Sequence, residues 1–249
     1  MARHGKPFRP LLIILLIAAC AVFVWSGYKF ISREKEYADA RADYDALRDT
    51  FNQSAASGDE SESADSNIDF DGLRAVNPEV VGWVDIPGTS ISYPIAQTSD
   101  NDKYLKVSFD GQSSSSGAIF ADKDCQSDLM GAHTIIYGHH MRDGSMFAEL
   151  VNFKDADFFD SHSEIILTTP ERQMHLTVIA AYAVNADEPL RRFTFNADEF
   201  QAFLSECVAK SELKREGVDL SQVDRLYTFV TCSYEADDMR TVVHAVELG

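Results

Sequence analysis

The chain has 249 residues, and 45% of them are hydrophobic, so it is long enough and apolar enough to bury a core of substantial size. Its 40 acidic residues outnumber the 22 basic ones and give a formal net charge of −18. Binding to a nucleic acid backbone requires clustered Lys and Arg, so this charge balance argues against nucleic acid as a partner.

The N-terminal part of the chain carries the pattern of a membrane anchor. Residues 1–10 form a basic segment, and residues 11–31 are mostly apolar. A helix of about 20 apolar residues spans a bilayer, and positive residues before it stay on the cytoplasmic side. We therefore expect a single-pass anchor at 11–31 in the cell membrane, with the rest of the chain extracellular. Cleavage or lipidation near Cys20 remains open as an alternative, because the small residues before it resemble a processing site.

Two further segments precede the folded domain. Residues 33–51 carry apolar residues at spacings of three and four without Pro or Gly, which predicts a helix. Residues 52–69 are rich in Ser, Ala, Asp and Glu and show no period, which predicts a flexible acidic linker. We therefore expect an extracellular helix and linker over 32–69 and a folded domain over 70–249.

The pattern changes at about residue 70 to short runs of β-branched and aromatic residues bounded by turn residues. Such runs are typical of strands, and their spacing predicts an all-β barrel or sandwich. The eight predicted strands are 80–86, 90–95, 118–121, 134–137, 164–168, 174–184, 226–232 and 241–248.

Helical patterns interrupt this series twice. The longer one starts after Asn196, which with Glu199 can form a capping box, and we expect Gly217 to end it. Its apolar stripe includes Leu213. A second, weaker helical pattern covers residues 147–159.

The chain has four cysteines, and Cys20 lies within the apolar segment. If Cys125 and Cys207 paired outside the cell, Cys232 would remain as a free thiol in an oxidising place. Unpaired burial of Cys125 and Cys207 is the alternative, and the position of Cys207 on the apolar stripe favours a small core residue there.

Cys232 ends one predicted strand, and Arg240 follows it eight residues later. A thiol is mostly protonated at neutral pH, so a nucleophilic cysteine needs a base, and His139 or His140 at the end of another strand could supply it. A guanidinium can stabilise the negative charge that then develops on a carbonyl oxygen. If the two strands pair, alternation places Cys232 and Arg240 on one face. On composition alone, inert structural roles would be the better interpretation.

Metal binding is not indicated by these histidines. Adjacent residues point to opposite sides of an extended segment, and neither Cys-x-x-Cys nor His-Glu-x-x-His occurs in the chain. We therefore predict no metal site.

Four motifs in family order resemble sortases, and within that family class B. They are residues 77–83 (NPEVVGW), 87–94 (PGTSISYP), 137–141 (YGHHM) and 228–232 (TFVTC). The last motif normally has Leu where Phe229 stands, which is a conservative departure. The resemblance covers residues 70–249 and implies a closed β-barrel of about eight strands. It also implies additional N-terminal helices and one long helix in the connection before the cysteine strand.

The resemblance implies a cysteine transpeptidase on the surface of a Gram-positive cell. Cys232 would attack the threonine carbonyl of a C-terminal sorting signal on a surface protein, forming a thioester. His139 would protonate the leaving amine, and Arg240 would stabilise the oxyanion. An amine of a peptidoglycan precursor or a pilin lysine would then resolve the thioester, with no cofactor. His140 stands where the class commonly has Asn, so the motif assigns the catalytic role to His139.

Residues that would contact the substrate carry over from the same resemblance. Asn101 and Leu105 match groove residues of class B, and Tyr137 and Thr231 flank the catalytic pair. Val230 and Ser233 stand where the class often has Ser and an acidic residue. Two other functions remain open at this point: a catalytically inactive relative that acts as a surface binding module, and a hydrolytic cysteine peptidase.

Overall fold

The computed structural model describes residues 8–52, 68–233 and 239–248, with the backbone alone at 8–11, 232 and 233. The chain divides into two compact units, residues 1–39 and residues 40–249. The predicted acidic linker lies almost entirely outside the described residues.

The first helix, α1, runs from Phe8 to Phe51. It joins the predicted anchor and the predicted helix after it into one element. The large apolar side chains from Leu12 to Ile31 are 55% to 79% exposed. Among the residues that the structure describes, α1 is the one helix long and apolar enough to cross a membrane, judged by length and composition only.

Nine strands lie within the described residues. They are β1 (Val80–Asp85), β2 (Ser92–Ala96), β3 (Ile119–Ala121), β4 (His133–Gly138), β5 (Glu164–Thr168), β6 (Gln173–Asn185), β7 (Leu213–Lys214), β8 (Leu226–Ser233) and β9 (Met239–Glu247). Eight of them form a ring in the order β5-β1-β2-β3-β4-β8-β9-β6, which closes because β5 also pairs with β6. β7 pairs with β6 beside this ring. The predicted all-β barrel of about eight strands is confirmed.

Two of the barrel pairings are parallel, β2 with β3 and β4 with β8. The parallel β4–β8 pair matters for function because both strands reach the same rim of the barrel at their C-terminal ends. Burial changes along β4 accordingly: the side chains of His133–Ile136 are buried, and Tyr137 and Gly138 are partly exposed. β9 starts at this rim, with Arg240 partly exposed and the following six residues buried.

Three shorter helices accompany the barrel: α2 (Phe70–Val76), α3 (Ala156–Ser161) and α4 (Ala197–Ala209). The predicted capping box at the start of α4 is present, because the Asn196 side chain accepts from the Glu199 backbone and the Glu199 side chain accepts from the Asn196 backbone. Phe195 and Phe200 pack edge to face at 5.6 Å across this cap. The long helix before the cysteine strand is therefore confirmed at its N-terminal end.

The predicted C-terminal end of this helix is wrong. α4 ends at Ala209, and Leu213 lies in β7 opposite Ala181. Ser211 explains the change, because its buried hydroxyl donates to the Ala181 carbonyl (2.8 Å) and accepts from the Ala181 amide (3.0 Å). These bonds tie the chain to β6 only two residues after the end of α4 and prevent the helix from continuing to Leu213.

The weaker helical pattern at 147–159 forms two short elements instead of one. A 3-10 helix covers Ala148–Lys154, and α3 starts after Asp155. The Asp155 side chain accepts hydrogen bonds from the amides of Asp157 and Phe158, which caps α3 and ends the preceding helix.

The end of α1 packs onto the barrel. Tyr44 is 6% exposed, and its hydroxyl donates to the Gly117 carbonyl (2.6 Å) and accepts from the Phe109 amide (3.1 Å). Its ring meets Tyr93 edge to face at 5.4 Å. This contact fixes the loop that runs from β2 toward β3, which forms one side of the cleft described below.

Cys125 and Cys207 are both buried and unpaired, which confirms the alternative of unpaired burial. Burial raises the pKa of Cys125 to about 12 and that of Cys207 to about 11. Since the thiolate is the reactive form of cysteine, both residues are inert parts of the core.

Candidate active site

The antiparallel β8–β9 pair places the proposed nucleophile and the proposed oxyanion ligand side by side. The Cα partners are Thr228 with His244, Val230 with Val242, and Cys232 with Arg240. Directly opposed residues of an antiparallel pair point to the same face. The expected common face of Cys232 and Arg240 is therefore confirmed at the level of the backbone.

The parallel β4–β8 pair brings the histidine to the same rim. Tyr137 is the Cα partner of Val230, and Gly138 is the partner of Thr231. His139 and Cys232 each follow the last of these pairs by one residue. Two segments 93 positions apart in the chain thus end next to each other.

A cleft of about 260 Å³ opens at this rim. It is lined by Asn101, Asp102, Leu105, Phe120, Tyr137, Gly138, His139, Arg191, Val230, Thr231 and Arg240. The two predicted catalytic residues with described side chains, His139 and Arg240, are in this set. All four predicted substrate residues also line the cleft. The side chain of Cys232 lies outside the described residues, and its backbone follows directly on Thr231.

The position of His139 is set by the loop beside it. Its Nε2 atom lies 2.8 Å from the carbonyl oxygen of Leu105, which can only accept a hydrogen bond. A neutral imidazole in this arrangement carries its proton on Nε2 and keeps Nδ1 as a proton acceptor.

Gly117 packs against this histidine. Its φ angle is +57°, and a Cβ atom there would lie 2.3 Å from the Tyr104 carbonyl oxygen and 3.1 Å from Cδ2 of His139. Only glycine allows the loop to approach so closely. His140, the other candidate, is not part of the cleft lining and forms a β-bridge with Met146 instead.

Two buried hydroxyl groups lie on the cross-strand pair next to Cys232 and Arg240. Thr231 and Thr241 are Cα partners in β8 and β9 and are 2% and 0% exposed. Within the part of the chain that the structure describes, neither Oγ1 atom has a hydrogen-bond partner. Buried polar groups are rarely left unsatisfied, so Thr231, which lines the cleft, is suited to a hydrogen bond with a ligand.

Two residues of the site, Asp122 and Arg191, were not predicted from the sequence. The Asp122 side chain is fully buried and binds Arg191 through two hydrogen bonds, from Nε (2.6 Å) and Nη2 (2.9 Å). Burial would raise the pKa of Asp122, but hydrogen bonds from Arg191, the Asp124 amide and Tyr137 outweigh it and hold the pKa below its usual value. Asp122 is therefore a charged carboxylate beneath the cleft.

A signal for one of these two residues was present in the sequence. Asp122 comes directly after the apolar run 118–121, and a carboxylate at the end of a buried strand is unusual enough to attract attention. Arg191 lies in an irregular connection after β6, where no periodicity indicates its direction.

Comparison with known proteins agrees with this geometry. A family model described as a sortase domain matches residues 84–248. The chain is 30% identical to sortase B of Staphylococcus aureus over 243 residues, which cover 96% of each chain. It is 29% identical to sortase B of Listeria monocytogenes over 224 residues, or 90% of each chain.

Solved structures show the same likeness. The crystal structure of Clostridium perfringens sortase B has 32% identity and a TM-score of 0.69, covering 73% of this chain and all of that one. A Staphylococcus aureus sortase B-substrate complex has 28% identity and a TM-score of 0.75, covering 86% of this chain and 98% of that one.

The barrel, the cleft and these matches define a cysteine transpeptidase. The chain belongs to the sortase family, and its function is that of a class B sortase transpeptidase. Sortase chemistry requires a protein that carries a sorting signal and an amine acceptor. The family also points to the cell surface, and the apolar part of α1 is suited to an anchor or a signal.

Proposed function

We propose that Cys232, His139 and Arg240 carry out the acyl transfer of this sortase. The observation that carries the proposal is the pairing of β8 with both β4 and β9, which supports a common site for the three residues at one rim. In the first step, His139 accepts the thiol proton of Cys232, and the resulting thiolate attacks the threonine carbonyl carbon of the sorting signal. The scissile C–N bond then breaks, the amine leaves with a proton from His139, and a thioester remains.

Arg240 and His139 have distinct tasks in this sequence of steps. The guanidinium of Arg240 stabilises the oxyanion by charge-assisted hydrogen bonds that strengthen as the charge develops. His139, oriented by the Leu105 carbonyl, gives a proton to the leaving amine and later removes one from the incoming amine. The incoming amine forms an amide with the acyl group and releases the thiol.

The cleft supports binding of the peptide through Asn101, Leu105, Tyr137 and Thr231. Leu105 is 37% exposed and offers apolar surface. The Thr231 hydroxyl, which has no hydrogen-bond partner among the described residues, offers a hydrogen bond to the peptide. Asn101 and Tyr137 contribute an amide and a hydroxyl at the same opening. This mixture of one apolar surface with several polar groups suits an extended peptide.

The acceptor in this proposal is an amine of a cell-wall precursor, and a pilin lysine is the other candidate. The protein spans the membrane once at 11–31, residues 32–69 form the extracellular helix and linker, and the catalytic domain covers 70–249. The exposed apolar side chains of α1 support this arrangement.

Peptide cleavage and transfer test the proposed roles. The full chain in detergent is incubated with quenched fluorescent peptides that contain Asn-Pro-Ala-Thr-Asn or Leu-Pro-Ala-Thr-Gly, with triglycine or a lysine amide as acceptor. Cys232→Ala should abolish cleavage, and Cys20→Ala, which removes a thiol from the apolar segment, should leave it unchanged. We expect His139→Ala and Arg240→Ala to lower kcat/KM at least 100-fold, on the order of the loss of an oxyanion donor.

The products decide between the candidate activities. An amide product that forms only with an added acceptor agrees with a transpeptidase, and the preferred acceptor identifies the amine class. Acid as the sole product would indicate a peptidase instead. Cleavage that persists in Cys232→Ala would contradict the assignment of the nucleophile.

A further inference from the structure

One buried carboxylate connects three of the residues that line the cleft. Asp122 follows β3 and accepts hydrogen bonds from Asn101 Nδ2 (3.0 Å), Tyr137 Oη (2.9 Å) and the Arg191 guanidinium (2.6 and 2.9 Å). It also accepts from the backbone amide of Asp124 (3.0 Å). Both of its oxygens are therefore fully used by protein donors.

The three donors come from separate parts of the fold. Asn101 belongs to the connection after β2, Tyr137 lies in β4, and Arg191 lies in the connection between β6 and α4. Tyr137 pairs through its strand with β3 and β8. Among the described residues, no backbone hydrogen bond joins these three segments to one another at Asn101, Tyr137 or Arg191. Asp122 is thus a shared anchor for three walls of the cleft.

The donors are also fixed in orientation. Asn101 donates to Asp122 through its amide nitrogen and accepts the Lys123 amide through its oxygen (2.9 Å), so its side-chain direction is determined at both ends. Burial, reinforced by the nearby Asp122 charge, raises the pKa of Tyr137, which keeps its hydroxyl protonated as the donor to Asp122. Preorganised groups of this kind lose little conformational freedom when a ligand binds.

We propose that Asp122 is the positioning residue of the substrate cleft and that it holds Arg191, Tyr137 and Asn101 together in the geometry that binds the sorting peptide. This inference rests on the proposed function. Asp122 itself does not touch the peptide, because its side chain has 0% exposure. The side chain of Arg191 is 44% exposed and lines the cleft, so its guanidinium can donate hydrogen bonds to a ligand there.

The electrostatic setting gives Arg191 a specific task. Its Nε and Nη2 atoms bind Asp122 and Asp124, and Nη1 makes no hydrogen bond to the described residues. Arg191 and Arg240 are the two guanidinium groups of the cleft lining. Arg191 therefore binds an acceptor of the peptide, a carbonyl or a side-chain amide oxygen, in a direction set by the carboxylate behind it.

Peptide binding without turnover tests this inference. In the full chain carrying Cys232→Ala, dissociation constants are measured in detergent by fluorescence anisotropy with labelled peptides containing Asn-Pro-Ala-Thr-Asn or Leu-Pro-Ala-Thr-Gly. Asp122→Asn removes the charge and places an amide donor against the guanidinium. We expect the dissociation constant to rise roughly tenfold or more, as for the loss of a hydrogen bond to a charged group. Asp128→Asn changes the net charge equally outside the cleft and should have no effect.

Arg191→Gln and the double variant separate positioning from general destabilisation. Arg191→Gln leaves the buried Asp122 carboxylate without its guanidinium, so the thermal unfolding temperature should fall, and dissociation constants are compared well below that temperature. There we expect Arg191→Gln to weaken binding by a similar factor. If Asp122 acts through Arg191, Asp122→Asn/Arg191→Gln should bind no more than about twofold more weakly than either single variant. In the chain that retains Cys232, KM should rise while kcat changes little.

The binding measurements distinguish a failure of the proposed function from a failure of the role of Asp122. A parent that binds neither peptide contradicts the proposed function and this inference with it. A parent that binds, with unchanged dissociation constants in both Asp122→Asn and Arg191→Gln, contradicts the role of Asp122 alone. If Asp122→Asn fails to fold, Arg191→Gln decides, because unchanged binding in that variant overturns the inference.

Discussion

At the scale of single residues, two buried histidines form an ordered hydrogen-bonded chain inside the barrel wall. The Arg192 carbonyl accepts from His133 Nδ1 (2.8 Å), so His133 Nε2 accepts from the Thr228 hydroxyl (2.8 Å). Thr228 in turn accepts from His244 Nδ1 (2.9 Å), and His244 Nε2 accepts from the Tyr182 hydroxyl (2.8 Å). Every group has a partner when both imidazoles are neutral.

The stability of the fold should depend on pH through these two residues. Burial lowers the pKa of His133 to about 4 and that of His244 to about 3, from 6.5. The unfolded chain therefore binds protons first as the pH falls below 6.5. The stabilising contribution is complete above that value and is lost as the pH approaches the folded pKa values.

Urea unfolding at several pH values measures this effect. We expect the free energy of unfolding to fall by about 1.5 kcal/mol per histidine between pH 6.5 and 5. His244→Asn should make this dependence weaker than in the parent chain. An unfolding free energy that stays constant over this range would contradict neutral burial of the two histidines.

At the scale of elements, the end of α1 supports the loop that orients His139. Tyr44 binds the backbone at Phe109 and Gly117, and this loop also contains Leu105, the partner of His139. Tyr44→Phe leaves a buried carbonyl and a buried amide without their partner. We expect a loss of about 1 to 3 kcal/mol in unfolding free energy and a lower kcat.

Unfolding by urea and peptide cleavage by the full chain measure these two effects. Tyr37→Phe, two turns earlier in the same helix, serves as the control and should leave both values unchanged. A Tyr44→Phe variant with the stability and kcat of the parent would show that α1 does not support the loop.

The limits of prediction from sequence are visible in α4. Its start was predictable because capping is decided by residues within five positions of each other, here Phe195 to Phe200. Its end was not, because it depends on the bond between Ser211 and Ala181, which lie 30 residues apart in sequence. Interactions between residues close in sequence can be predicted from the sequence. The strand with which a short edge segment such as β7 pairs cannot.

At the scale of the whole molecule, the site exists because the barrel closes. Alternation within strands was enough to predict that Cys232 and Arg240 share a face once β8 and β9 pair. The proximity of His139 to the cysteine strand was predicted only from the family resemblance, because no periodicity in the sequence reveals that β4 and β8 are parallel neighbours. Asp122 and Arg191 meet across 69 residues of sequence, which only the closed ring explains.

The central claim is that a sortase thioester forms on Cys232, and the mass of the intact protein tests it most directly. The full chain is incubated at pH 7 with the cleavable peptide and no amine acceptor, quenched in acid and measured by mass spectrometry with peptide mapping. We predict an adduct with the mass of the acyl portion up to threonine, located on Cys232 and released by hydroxylamine. Peptide cleavage without this adduct, or an adduct on another residue, would contradict the account.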